Sequence, residues 1–97
     1  MDFFPKVVQA ISGANFTVYA YFNDGTVRLV DAKPLIEKGG VFAPLSDVDF
    51  FRSRLTVLND TVAWDMTGDR NEATCIDLDP IVIYRNAVVE DPLEAAV

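Results

Sequence analysis

The sequence predicts an α+β domain: a small antiparallel sheet of about five strands, built from two hairpins, with one or two short helices. Three observations carry this. Residues 16–31 read as two alternating strands around Asp24-Gly25. Thr56-Val57-Leu58 and Thr61-Val62-Ala63-Trp64 flank Asn59-Asp60 as a second hairpin. Ser46-Asp47-Val48-Asp49 opens one helix, and Asp79-Pro80 opens a shorter one.

Taken in order, Lys6 to Ile11 forms the first strand, with Val7, Val8 and Ile11 apolar. Ser12-Gly13-Ala14-Asn15 turns the chain into the first hairpin. Asp24-Gly25 suits a two-residue type I′ turn, because glycine takes positive φ freely and aspartate better than most residues. That loop sets Phe22 opposite Val27 and Ala20 opposite Leu29. Phe16, Val18, Ala20 and Phe22 then share one face with Val27 and Leu29. A three-residue loop would pair Phe22 with Thr26 and Ala20 with Arg28. It would mix the faces, so the two-residue register is expected. The outer face carries Thr17, Tyr19, Tyr21, Thr26, Arg28 and Val30. Its tyrosines and Val30 are apolar enough to want a cover.

Asp31 to Glu37, with Leu35 and Ile36 apolar after Pro34, is short for a helix and reads as one turn, and Lys38-Gly39-Gly40 breaks it. Val41-Phe42-Ala43-Pro44-Leu45 reads as extended and apolar. The helix that follows has Ser46 as N-cap and acids in its first turn, which suit the helix dipole. Val48, Phe51 and Leu55 fall at helical spacing as its buried stripe. Arg52 and Arg54 near its end complement the dipole; no glycine-rich loop accompanies them to make a phosphate site. Asp65 to Thr74, a polar loop of ten residues without periodicity, is the natural place for function or for disorder. Ile81-Val82-Ile83-Tyr84 is rich in β-branched residues and fits a strand or a helix. The Asp79-Pro80 start favours the helix, with Ile81, Tyr84 and Val88 on its face. The chain reads as a single domain, 1–97, with a core over about 5–88 and a loosely held acidic tail, 89–97.

Half the residues are apolar, too many for a disordered chain. No apolar run approaches the length of a membrane span. Met1 to Lys6 lacks the basic start and apolar core of a signal peptide. The single cysteine, Cys75, allows no internal disulfide, so a reducing cytoplasm is expected. The Asn15-Phe16-Thr17 and Asn59-Asp60-Thr61 triplets then read as turn chemistry. Net charge is −7, and residues 65–97 hold eight acids against two bases. Such a surface repels a nucleic acid backbone and attracts a basic protein, although acidity also serves solubility.

There is no histidine, which removes the commonest general base, the commonest metal ligand and every Ser-His or Cys-His triad. Cys75 stands alone among acids, which make a thiol a poor nucleophile, and reads as a small buried apolar residue. Asp65, Asp69, Glu72, Asp77 and Asp79 are the one dense constellation, of the oxygen-donor type that suits calcium or magnesium. Asp65-x-Thr67-x-Asp69 begins like a calcium loop. Arg70 then stands in the glycine position and Ile76 in that of the closing glutamate, so the pattern fails. Paired acids for glycoside hydrolysis lack a cleft in so small a domain. Trp64 and the phenylalanines are core residues; nucleic acid stacking would need bases among them. No catalytic residue, metal site or cofactor is assigned. The candidate interaction surface is Tyr19 and Tyr21 on the sheet, with Asp65, Asp69, Glu72 and Asp77.

The succession Phe22-x-Asp24-Gly25, Gly40-x-Phe42-x-x-Leu45, Phe50-Phe51, Val62-x-Trp64, Asp77-x-Asp79-Pro80 and Tyr84 resembles a small bacterial family, the domain of unknown function 2442. The resemblance covers residues 5–88 or so and implies a small antiparallel sheet with one or two short helices. Some relatives continue into a helix-turn-helix domain, which implies regulation. Others resemble partners of a small toxin-like protein encoded beside them. Here the 65–74 loop is longer than in the shortest relatives, and thirteen residues follow Tyr84. Direct DNA binding is therefore not carried over, and the family supplies no catalytic residues. The leading expectation is a non-enzymatic interaction or regulatory module that binds another protein, basic by charge, with an antitoxin-like role as one version. A homodimer that covers the sheet edges is compatible with it. The alternative is a domain that senses a small ligand or divalent metal through residues 65–79.

Overall fold

A computed structural model describes residues 3–95 as two antiparallel sheets and a few short helices. The first sheet runs in the order β1-β2-β3-β7, from β1 (Val7–Ser12), β2 (Thr17–Phe22), β3 (Val27–Asp31) and β7 (Val88–Val89). The second is β4 (Leu55–Leu58), β5 (Thr61–Trp64) and β6 (Ile76–Asp77), in that order. The α+β class is as expected, but seven strands in two sheets replace about five in one. The added strands β6 and β7 have two residues each, too few to carry a period in sequence.

The β2–β3 register is the one the face argument rejected. Phe22 N–H donates to the Thr26 carbonyl at 2.9 Å, so the loop is the three residues Asn23-Asp24-Gly25. Ala20 faces Arg28, Tyr19 faces Leu29, and Val18 faces Val30. Gly25 alone takes the left-handed conformation, at φ 86°. Asp24 instead accepts from the Thr26 amide at 2.9 Å and its hydroxyl at 2.6 Å, locking the turn with its side chain. The face conflict is resolved by Arg28. It shares the inner side with Ala20, and its guanidinium stands 4.2 Å over the Tyr84 ring. From there it donates to the carbonyls of Tyr84 at 2.9 Å and Asn86 at 2.8 Å. Val30 lies on the buried face rather than the outer one. On the other edge, Val8 is a bulge between Val7 and Gln9 and is exposed.

The β4–β5 turn is as expected. Asn59 and Asp60 both take positive φ, at 55° and 60°, as a type I′ hairpin requires. All four residues of β5 are buried, since this central strand is covered on both faces. Val7 N–H donates to the Asp60 carbonyl at 2.9 Å and stitches the two sheets together.

α1 (Lys33–Lys38) ends at Gly39, whose φ is 71°. Val41–Leu45, expected to be extended, lies inside a 3₁₀ segment, Gly40–Ser46, that buries only Leu45. A short apolar run has no period by which to tell the two apart. α2 (Val48–Ser53) is capped by Asp47 rather than Ser46, through bonds from the Asp49 and Phe50 amides. Its short length reduces the expected stripe to Phe51: Val48 is exposed and Leu55 already belongs to β4. α3 (Pro80–Tyr84) starts at the Asp79 cap, which accepts from Ile81 N–H at 2.9 Å. It buries Ile83 and exposes Ile81, contrary to the expected face. The tail is tied down: β7 pairs with β3, and α4 (Pro92–Ala95) follows Asp91, which holds Tyr21. Residues 96–97 of that tail lie outside the described residues.

Trp64, fully buried, centres the core. Its ring lies 5.3 Å from Phe51, which lies 5.3 Å edge-on from Phe16, and its indole N–H donates to the Phe51 carbonyl at 3.0 Å. An aromatic of this size buries about 150–250 Å², several kcal/mol of hydrophobic stabilisation. No helix among the described residues is long and apolar enough to cross a membrane.

Candidate functional site

The six residues singled out by sequence fall in two places. Tyr19 and Tyr21 sit together on the outer face of the first sheet, opposite Leu29 and Val27. The Tyr21 hydroxyl donates to Asp91 Oδ1 at 2.6 Å. Burial, then that carboxylate, push the phenol up to about 12. The chain's own tail thus occupies part of this face.

The four acids belong to the loop between β5 and β6 and to β6 itself. Asp65 is nearly buried, at 9% exposure. Its Oδ1 accepts from the Thr67 and Gly68 amides at 3.2 and 2.9 Å, and its Oδ2 from the Arg70 amide at 3.0 Å. Burial works to raise its pKa, but these amides, Arg70's foremost, and the Arg54 charge outweigh it and hold the carboxyl below its ordinary value. Both oxygens are therefore engaged in folding the loop. Arg70, left-handed at φ 58°, crosses to β4 and donates to Thr56 Oγ1 at 2.6 Å and the Val57 carbonyl at 2.9 Å. Asp69 accepts from the Thr67 hydroxyl. Asn59 gathers the other end, donating to the Glu72 carbonyl at 3.2 Å and to Asp77 Oδ2 at 2.9 Å. Burial, then Asp77, push the Cys75 thiol up, away from reactivity. Among the described residues, no group of three or more His, Cys, Asp or Glu is placed to hold a metal ion.

A feature that sequence reasoning did not find lies beside β6. β3, α1, the 3₁₀ segment and α3 enclose an open hollow of about 480 Å³. Its apolar lining includes Val30, Leu35, Phe42 and Ile83, and Val82 stands at its mouth, 55% exposed. Asp31, Asp77 and Asp79 also line it, all exposed, and no lysine or arginine does. A second hollow, about 470 Å³, adjoins it, sharing Phe42 and Asp77 and adding Val41, Met66 and Ile76. Val41 is 72% exposed.

The rim charges differ. Asp31 forms an ion pair with Lys33 at 3.0 Å; the Lys33 amide first, then its ammonium, hold the carboxyl below its usual range. Asp77 and Asp79 have no cation within ion-pair distance among the described residues. Asp77 uses Oδ2 toward Asn59, and Asp79 uses Oδ1 toward the Ile81 amide. The groove thus offers an apolar floor beside two carboxylates that no cation neutralises. One sequence signal bears on it. Ile81-Val82-Ile83 sits in a helix of five residues, too short to bury three consecutive branched side chains.

No curated protein and no solved structure matches this chain. The family described as protein of unknown function (DUF2442) matches residues 7–89, from the first residue of β1 to the last of β7. That span takes in both sheets and the groove between them and α3, and the chain belongs to this family.

Proposed function

We propose that the chain is a non-enzymatic interaction module that binds a second, basic protein through the acid-rimmed groove beside α3. The observation that carries this is the exposed apolar lining, with Val82 and Val41 at its mouth, next to the unpaired Asp77 and Asp79. Solvent-exposed branched side chains clustered at a groove mark a surface made to be covered. The sequence has no histidine to serve as a general base, and the raised Cys75 thiol is a poor nucleophile, which supports a binding role rather than turnover. A regulatory or antitoxin-like task in the cytoplasm is compatible with such a module.

The tyrosine-bearing face has weaker support, because the tail already engages Tyr21. Metal sensing through residues 65–79 is weaker still, since Asp65 has both oxygens engaged by amides.

The test is capture of the tagged chain from its own cells at low and high salt, beside Val82→Asp. Val82 is exposed, so this variant keeps the fold. One near-stoichiometric protein, held by the wild-type chain at low salt and lost by Val82→Asp, supports the proposal. The same protein held equally by both, or a homo-oligomer with nothing attached, contradicts it.

A further inference from the structure

We infer that the occupant of the groove is a single cationic, amphipathic segment of the partner. It seats apolar side chains in the two hollows on either side of Phe42 and brings a lysine or arginine against Asp77 and Asp79. This rests on the interaction reading above and names the partner's chemistry.

Three observations lead to it. First, the hollows share Phe42 and Asp77 as a common wall. Val82 and Val41, which belong to one hollow each, are both more than half exposed. A small molecule in one hollow leaves the other uncovered, whereas one length of chain crossing Phe42 covers both. Second, the charge is one-sided. Neither hollow is lined by a lysine or arginine, and Asp77 and Asp79 each spend one oxygen inside the protein. A guanidinium or ammonium between them gains charge-assisted hydrogen bonds that a neutral segment lacks. Third, a second copy of this chain is a poor occupant. Its net charge is −7, and its exposed apolar tail residue Leu93 is flanked by Asp91 and Glu94. Like charges across the rim oppose self-association there.

The experiment uses the full chain, isotopically labelled, and two synthetic peptides of about 18 residues. One places leucine at helical spacing with lysine elsewhere; the other has glutamate for every lysine. Amide shifts locate binding, and calorimetry measures it. The expected result is that the lysine peptide shifts Val30, Phe42, Val82 and Asn86, and that binding weakens with salt. The double variant Asp77→Asn/Asp79→Asn keeps the Asp79 cap and the Asn59 contact as amides, and weakens binding about fivefold or more. The glutamate peptide leaves the groove unshifted. Equal groove binding by both peptides, or no effect of the double variant, overturns the inference while the interaction module stands. Shifts confined to Tyr19 and Tyr21, or none with either peptide, overturn it as well. The module itself is then judged by the Val82→Asp capture, which does not depend on the peptide's charge.

Discussion

The hydroxyl of Tyr21 donates to Asp91 Oδ1 at 2.6 Å, across 70 residues of sequence. This bond, with the Val27–Val89 and Arg28–Val88 pairs, fixes the tail on the first sheet. Tyr21→Phe is expected to cost about 1 kcal/mol or less and to speed amide exchange at Val89 and Leu93, with Trp64 unaffected. Burial and Asp91 raise the phenol pKa from 10.0 to about 12. A group raised on folding contributes fully below its unfolded value. The bond's contribution is therefore complete below pH 10 and lost as pH rises through about 12. Absorbance titration should show one phenol ionising near that upper limit, absent from Tyr21→Phe.

Asp24 shows the opposite sign. Its carboxylate accepts from the Thr26 hydroxyl and amide and from the Tyr84 hydroxyl at 2.6 Å. The Thr26 hydroxyl, then Tyr84, then the Thr26 amide, lower its pKa from 3.8 to about 2, and the same contact raises that of Tyr84. A depressed group contributes above its unfolded value and loses that contribution as pH falls through the folded one. Asp24→Asn should melt below the wild-type chain at pH 7, and the gap should close between about pH 4 and 2. A gap unchanged over that range, followed by circular dichroism, would contradict the assignment.

Gly25 bears the strain of the three-residue loop. At φ 86° with nothing within 4 Å of where a Cβ would stand, Gly25→Ala meets no clash and suffers only the conformational penalty. The expected loss is about 1–2 kcal/mol by urea denaturation, with the β2–β3 register retained in amide contacts.

Thr61 is buried at 2% exposure, and its hydroxyl finds no hydrogen-bond partner among the described residues. Thr61→Val keeps the shape and removes the stranded group. It is expected to be neutral or to stabilise by about 1 kcal/mol, against the usual loss for a buried substitution. A loss above that size would mean the hydroxyl has a partner.

What the sequence disclosed follows the range of each interaction. The Asn59-Asp60 turn was legible because both residues tolerate positive φ and the strands on either side carry no bulge. The Asp79-Pro80 helix start was legible for the same local reason. The β2–β3 register was not, because the partner that lets Arg28 face inward, Tyr84, lies 56 residues away. The α2 cap moved from Ser46 to Asp47 because two good caps stand side by side, and only the turn before them decides. The acids at 65–77 were read as a surface, yet Asp65 is engaged by amides of its own loop, which no spacing rule reveals. The groove escaped notice because its walls come from four separate stretches, around Val30, Leu35, Phe42 and Asp77–Asn86.

The most direct test of the groove's role is the affinity of the captured partner for Val82→Asp, measured beside Tyr19→Ala on the opposite surface. The account predicts a loss of about 2 kcal/mol or more for Val82→Asp and a change within about 0.5 kcal/mol for Tyr19→Ala. The reverse pattern, with Tyr19→Ala impaired and Val82→Asp unchanged, would place the interaction on the tyrosine face and contradict it.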